Sequence, residues 1–171
     1  MTFQVTVIGD ALADGEKYAF CHKLGRMLAG MAAVVITGGR TGVMEAVCKG
    51  AYEAGAITVG ILPGTYTGEA NSYCRVVIPT GMGHGRNILT ILPADVVIAV
   101  GGKAGTLSEM GFAWIHNKPI IAVKNFGGWA EKLAGKKIDE RRTEPVFGVN
   151  SLEEIRQLIG KLIQEKSISK Q

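Results

Sequence analysis

Val96-Val97-Ile98-Ala99-Val100-Gly101-Gly102-Lys103-Ala104-Gly105-Thr106-Leu107-Ser108-Glu109 is the stretch on which the reading of the fold turns. Five apolar residues without alternation describe a parallel strand buried on both faces. The glycines then break the strand, and a helix opens behind them. Nearly the same text stands earlier as Thr37-Gly38-Gly39-Arg40-Thr41-Gly42-Val43-Met44-Glu45, after the β-branched run Ala33–Thr37. It too leads into a helical period, on Val43, Val47, Ala51 and Ala54. Further strands are expected at Phe3–Ile8, Ile57–Leu62, Arg75–Pro79 and Pro119–Val123, with Asp95–Val100 completing the set. Phe20, Leu24, Met27 and Met31 share one face of a first helix. Such alternation predicts an α/β, Rossmann-like doubly wound fold, a mainly parallel sheet flanked by helices, with residues 1–171 as one domain. At the tail, Leu152, Ile155, Leu158, Ile159, Leu162 and Ile163 form a helical stripe opened by the capping box Ser151/Glu154, and Ser167–Gln171 is expected to fray. Gly64–Cys74 and Asn125 to about Glu144 read as loops, the first as a cover over a ligand.

Composition narrows the function. Of 171 residues, 47% are hydrophobic and 20% charged, enough for a packed core. The 24 glycines cluster between apolar runs, marking backbone that turns sharply or approaches something closely. An aromatic content of 6% argues against a stacking platform for single-stranded nucleic acid. Residues 1–116 carry eight basic and eight acidic side chains, so the net charge of +4 arises in the last third, around Lys136-Lys137-Ile138-Asp139-Glu140-Arg141-Arg142. That run reads as a solvated loop, and no nucleic-acid partner is expected. No leader and no apolar run of about 18 residues is visible, so a cytoplasmic protein without membrane contact is expected. Cys21, Cys48 and Cys74 form no CxxC pair and read as buried reduced thiols; no spacing supports a metal site.

The two glycine turns carry the chemistry. Glycines at strand ends bring backbone N–H groups against a guest, and a helix N-terminus adds roughly half a positive charge. Gly38, Gly39, Gly42, Gly101, Gly102 and Gly105 therefore form candidate binding turns for a small phosphorylated ligand, with Thr106 offering a hydroxyl. Neither turn is a GxGxxG dinucleotide fingerprint or a GxxxxGK[ST] P-loop, which argues against nucleoside triphosphate hydrolysis. Glu109 lies one helical turn further in, either capping its own helix or facing the same crevice. Gly81-Met82-Gly83-His84-Gly85-Arg86-Asn87 exposes His84 and Arg86, the latter a fork for phosphate or carboxylate. Gly9 and Asp10 follow the first strand, and Asp10 either meets a ribose hydroxyl or caps the helix near Asp14. His22 and His116 carry no functional expectation.

Gly38-Gly39-x-x-Gly42-Val43-Met44, His84-x-Arg86 and Gly102-x-x-Gly105-Thr106-x-x-Glu109, in this order, resemble the LONELY GUY (LOG)-like superfamily, the SLOG group long mislabelled as lysine decarboxylases. The resemblance spans about residues 3 to 125. It implies a Rossmann-like fold, often dimeric, here read as a homodimer or homotetramer. It also implies cleavage of the N-glycosidic bond of a nucleoside 5′-monophosphate to base and ribose 5-phosphate, with Arg86 and Glu109 as the catalytic pair and Gly105 and Thr106 in the phosphate turn. No cofactor is required for that reaction. Departures from the hydrolase pattern are Gly101 for proline, Lys103 for glycine, Asn87 for lysine, Thr37 and Glu45 at the ends of the first motif, and the extra Gly83. These resemble the branch of the molybdenum cofactor carrier proteins, so carriage of the molybdenum cofactor, or sensing of a nucleotide, stands as the alternative.

Overall fold

The computed structural model describes residues 2–31 and 33–168. Seven strands, β1 (Gln4–Gly9), β2 (Val34–Thr37), β3 (Thr58–Leu62), β4 (Val76–Pro79), β5 (Val96–Val100), β6 (Ile120–Val123) and β7 (Phe147–Val149), form one sheet. Six helices accompany them: α1 (Gly15–Gly30), α2 (Val43–Glu53), α3 (Asn87–Ile91), α4 (Ala104–Ile115), α5 (Gly128–Leu133) and α6 (Leu152–Ile168). Every pairing is parallel, in the order β4-β3-β2-β1-β5-β6-β7. The chain therefore winds outward from β1 in one direction and, after β4, returns to β5 and winds in the other. The reversal lies between β1 and β5, where successive loops leave toward opposite faces and open a crevice at the strand C-termini.

The central strands are apolar without alternation because both faces are covered. Val5, Val7, Val35, Val96, Ile98 and Ile121 point to the layer of α1, α2 and α6 and meet Leu24, Leu28, Val47, Ile155 and Ile159. Their neighbours Ile8, Val97, Ala99, Ile120 and Ala122 point the other way, to Ile91, Met110, Trp114 and Ala130 of α3, α4 and α5. All six expected strands are present, each beginning one residue later than its apolar pattern does. Asn150 N–H and Glu154 N–H complete the cap of α6, donating to the Glu154 carboxylate at 3.2 Å and to Ser151 Oγ at 3.3 Å. The helix continues through Ser167 and Ile168, against the expected fraying, and positions 169–171 lie outside the described residues.

Two elements depart from the sequence reading. The segment from Asn125 to Glu144 is not all loop, since it contains α5; a six-residue helix opened by Gly127-Gly128 is too short to show a period. Strand β7 carries only three residues, one of them glycine, and leaves no alternation to read. The basic run 136–142 is the surface loop expected of it, exposed except at Asp139 and Arg142, which are half-buried and pin it. Trp114 Nε1 donates to Asp139 Oδ1 at 2.7 Å, while the Arg142 guanidinium lies 4.4 Å over the Trp114 ring and donates to the Lys118 carbonyl. Of the thiols, Cys21 and Cys48 are buried as expected, but Cys74 is only half-buried. Among the described residues, no helix is long and apolar enough to cross a membrane.

Candidate functional site

A cleft of about 580 Å³ occupies the crevice between the C-terminal ends of β1 and β5. Its walls come from the loops after β1 and β2, from the segment ahead of α3, and from the first turn of α4. Lys17, Arg40, Arg86 and Lys103 line it, against two carboxylates, Asp10 and Glu109. Both carboxylates are engaged. Asp10 Oδ2 accepts from Lys17 Nζ at 2.6 Å, and Glu109 Oε1 lies 3.4 Å from Arg86 Nη1. The remaining charge on the cleft is cationic and suits an anionic guest.

The α4 end of the cleft is open. The first turn of a helix leaves its N–H groups without intrahelical partners, and Lys103, the N-cap residue of α4, makes no capping side-chain bond. Gly105 adds free space: a Cβ there would meet nothing within 4 Å. Thr106 is buried against Gly102, which holds φ +99° to turn the chain off β5. Gly101 and Gly102 are pinned from behind, their carbonyls accepting from Ala130 and Trp129 N–H at 3.0 Å. Together they aim the α4 amides, Lys103 and Thr106 at one place.

Arg86 and Glu109 form the floor. They are 8% and 7% exposed, so their pairing is nearly dry. Burial pushes the Glu109 carboxyl up to about 7, with Arg86 and the Thr90 hydroxyl, 3.0 Å away, pulling in the opposite direction. Burial likewise lowers Arg86 from its ordinary value, and Glu109 opposes this. Arg86 Nη1 also donates to Asn87 Oδ1 at 3.0 Å, and Asn87 Nδ2 donates to Ser108 Oγ at 2.7 Å, which ties the guanidinium to α4. Arg86 Nε is buried without a hydrogen-bond partner. An unpaired buried donor costs roughly 1–3 kcal/mol.

Of the residues singled out from sequence, Gly9, Asp10, Gly38, His84, Arg86, Gly105, Thr106 and Glu109 line the cleft together. Gly39, Gly42, Gly101 and Gly102 do not line it; they shape its turns. Glu109 faces the crevice rather than capping its own helix. Asp10 neither caps α1, whose N-cap is Asp14, nor stands free, being paired with Lys17. The loop Gly64–Cys74 contributes no residue to the cleft wall; it docks on the first glycine turn through Asn71 Nδ2, which donates to the Gly39 and Arg40 carbonyls. Lys17, Thr90 and Ser108 carry no signal in the sequence, and Asn87 shows there only as a departure from the hydrolase pattern. Arg40 and Lys103 were visible as the basic position shared by both turns, whereas Lys17 reaches the cleft only through the placement of α1.

The family described as SLOG cluster4 matches residues 2–156, and the chain belongs to it. A molybdenum cofactor binding protein from the phototrophic bacterium Rippkaea orientalis is 33% identical and superposes with a TM-score of 0.85, covering 95% of this chain and 98% of that one. The molybdenum cofactor carrier protein of Chlamydomonas reinhardtii is 27% identical, with a TM-score of 0.84 over 96% of this chain and 99% of its own. A cytokinin riboside 5′-monophosphate phosphoribohydrolase of Arabidopsis thaliana is 31% identical over 125 residues, 66% of this chain. That match takes in 54% of the plant enzyme, so this chain spans about half its length. The fold is thus a LOG-like, Rossmann-type one.

Proposed function

From membership of the SLOG cluster4 family and the charge of the cleft, we propose that this protein binds and carries the molybdenum cofactor. That cargo is a pterin with a phosphate at one end and an oxo-molybdenum dithiolene at the other, so it is anionic at both. The observation that carries the reading is the cationic, open α4 end of the cleft. The free N–H groups of the α4 first turn, Lys103 and the Thr106 hydroxyl would take the phosphate, by the anion preference of helix N-termini. Arg40 on the facing wall and Arg86 in the floor would take the second anionic group. Similarity to carriers over nearly the whole chain supports this more than the partial match to the plant enzyme does. The test is anaerobic incubation with cofactor released from a denatured molybdoenzyme, then desalting. Metal and pterin are then measured on the protein. Stoichiometric retention of both is expected; protein that emerges free of both would overturn the proposal.

A second reading is favoured by one feature, the dry Glu109 carboxyl with its pKa raised to about 7 beside an arginine. Groups that titrate near the working pH serve acid–base chemistry. Here the ribose of a nucleoside 5′-monophosphate would lie over Glu109, which would stabilise positive charge developing at the anomeric carbon, while Arg86 orients the ligand. Release of free base and ribose 5-phosphate by the wild type, lost in Glu109→Gln with ligand binding retained, would establish this activity.

A further inference from the structure

A second chemically competent cluster lies behind the first glycine turn and contributes nothing to the cleft. Cys48 on α2 and Cys74, two residues before β4, bring their Sγ atoms within 3.9 Å. Cys48 Sγ also lies 3.3 Å from the Thr37 hydroxyl, and Cys74 Sγ donates toward Asn71 Oδ1 at 3.6 Å. Gly60 on β3 makes the room: a Cβ there would stand 2.7 Å from Cys74 Sγ. Cys48 is fully buried and Cys74 half-buried, so Cys74 is the more accessible residue of the pair. The hydrogen bonds from Cys74 and Thr37 hold the Cys48 thiol below its ordinary value. Cys21 on α1 is fully buried, and burial pushes it up to about 12.

We propose that Cys48 and Cys74 form a dithiol site that a hydroperoxide oxidises to a reversible disulfide. Hydrogen bonding and charge hold the thiolate on Cys48 and push the Cys74 thiol well above its ordinary value, so Cys74 reacts as its proton passes to Cys48 across the 3.9 Å contact, which places the attacking thiolate on the more accessible residue. Its lone pair attacks the peroxide oxygen, the O–O bond breaks, and hydroxide leaves with the electron pair, giving the sulfenic acid of Cys74. The Cys48 sulfur then attacks that of Cys74 and displaces hydroxide, which takes up the Cys48 proton as water. The two sulfurs together supply the two electrons that reduce the peroxide. The separation must shrink from 3.9 Å to a bond of about 2.05 Å, a movement that side-chain rotation and a small shift of the half-buried segment can supply. Asn71, which accepts from Cys74, also binds the carbonyls of Gly39 and Arg40, so the site is joined to the cleft wall.

The experiment treats the reduced full-length protein with a few equivalents of hydrogen peroxide and reads intact mass and non-reducing peptide maps. A loss of 2 Da (two hydrogens), a linked peptide pair containing Cys48 and Cys74, and full recovery with dithiothreitol are expected, with Cys21 unmodified. Cys48→Ser removes the resolving sulfur, and Cys74 should then proceed to the sulfinic acid, which dithiothreitol does not reverse. Wild-type protein that gains oxygen on Cys74 without forming the link, or that leaves Cys74 intact while Cys21 reacts, would overturn the proposal. The wild-type result decides the matter even where the variant folds poorly, and it does not depend on what occupies the cleft.

Discussion

Gly42 and Gly105 hold the same place in two nearly identical stretches of sequence, yet their surroundings differ. Gly42 holds φ +70° and is walled in by the backbone of Asp10 and Ala11, so that α2 begins only after it. Gly105 lies inside the first turn of α4 with open space in front of it. The preceding residue accounts for much of this. Thr41 donates its hydroxyl to the Ala11 carbonyl at 2.8 Å, drawing the chain onto the β1–α1 loop, and the Asp10 carbonyl then accepts from Val43 N–H. Ala104, a strong helix former with no competing side chain, lets α4 start one residue before the last glycine. The N-terminus of α2 is thereby covered by protein, and that of α4 is left open. Matching letters at two strand ends identify two turns, but the residue between the glycines determines which helix end stays open.

The largest expected effect is on stability. Gly42→Ala places a side chain in the left-handed region and against backbone, at a cost of roughly 2–4 kcal/mol. Thermal denaturation should show a fall in Tm of about 5–15 °C for a domain of this size. Gly105→Ala should leave Tm unchanged or slightly raised while weakening phosphate binding, because its methyl group enters the space in front of the α4 amides. Equal losses of stability in both variants would erase the contrast between the turns.

Next comes the pH response of the floor. Native Glu109 keeps its proton up to about 7, while the unfolded chain releases it near the ordinary glutamate value of 4.5. Between these values the native state binds more protons, so this residue's contribution to stability is full below pH 4.5 and falls as pH rises toward 7, by roughly 2–3 kcal/mol. Denaturant titrations from pH 4.5 to 8 should show that decline in the wild type and a flatter profile in Glu109→Gln. Ionised Glu109 also offsets Arg86, so the wild type should lose phosphate affinity relative to Glu109→Gln as pH rises through about 7.

The smallest effect is expected at Lys103, which is exposed and acts as a point charge at the α4 N-terminus. Lys103→Ala should weaken phosphate binding roughly two- to fivefold at low salt, with the difference shrinking as ionic strength rises. Calorimetric titration at two salt concentrations reads both.

Long-period features were legible in the sequence and short or purely spatial ones were not. Continuous apolar runs such as Val96–Val100 marked the buried strands, and the glycine turns marked the cleft, because both are local consequences of residue type. Arg86 and Glu109 were likewise foreseen, and the structure brings them to 3.4 Å. Helix α5 and strand β7 escaped because six and three residues cannot display a period. Lys17 and Thr90 escaped because their places depend on how α1 and α3 dock. The acidic residue that pins the run 136–142, Asp139, meets Trp114 across 25 positions of sequence.

The most direct measurement is a titration of isotopically labelled protein with inorganic phosphate, followed through backbone amide resonances. If the open turn is the anion seat, the amides of Ala104, Gly105 and Thr106 should move together and saturate, while those of Gly42 and Val43 stay in place. Saturable shifts at Gly42 and Val43, with the α4 amides unmoved, would contradict that assignment.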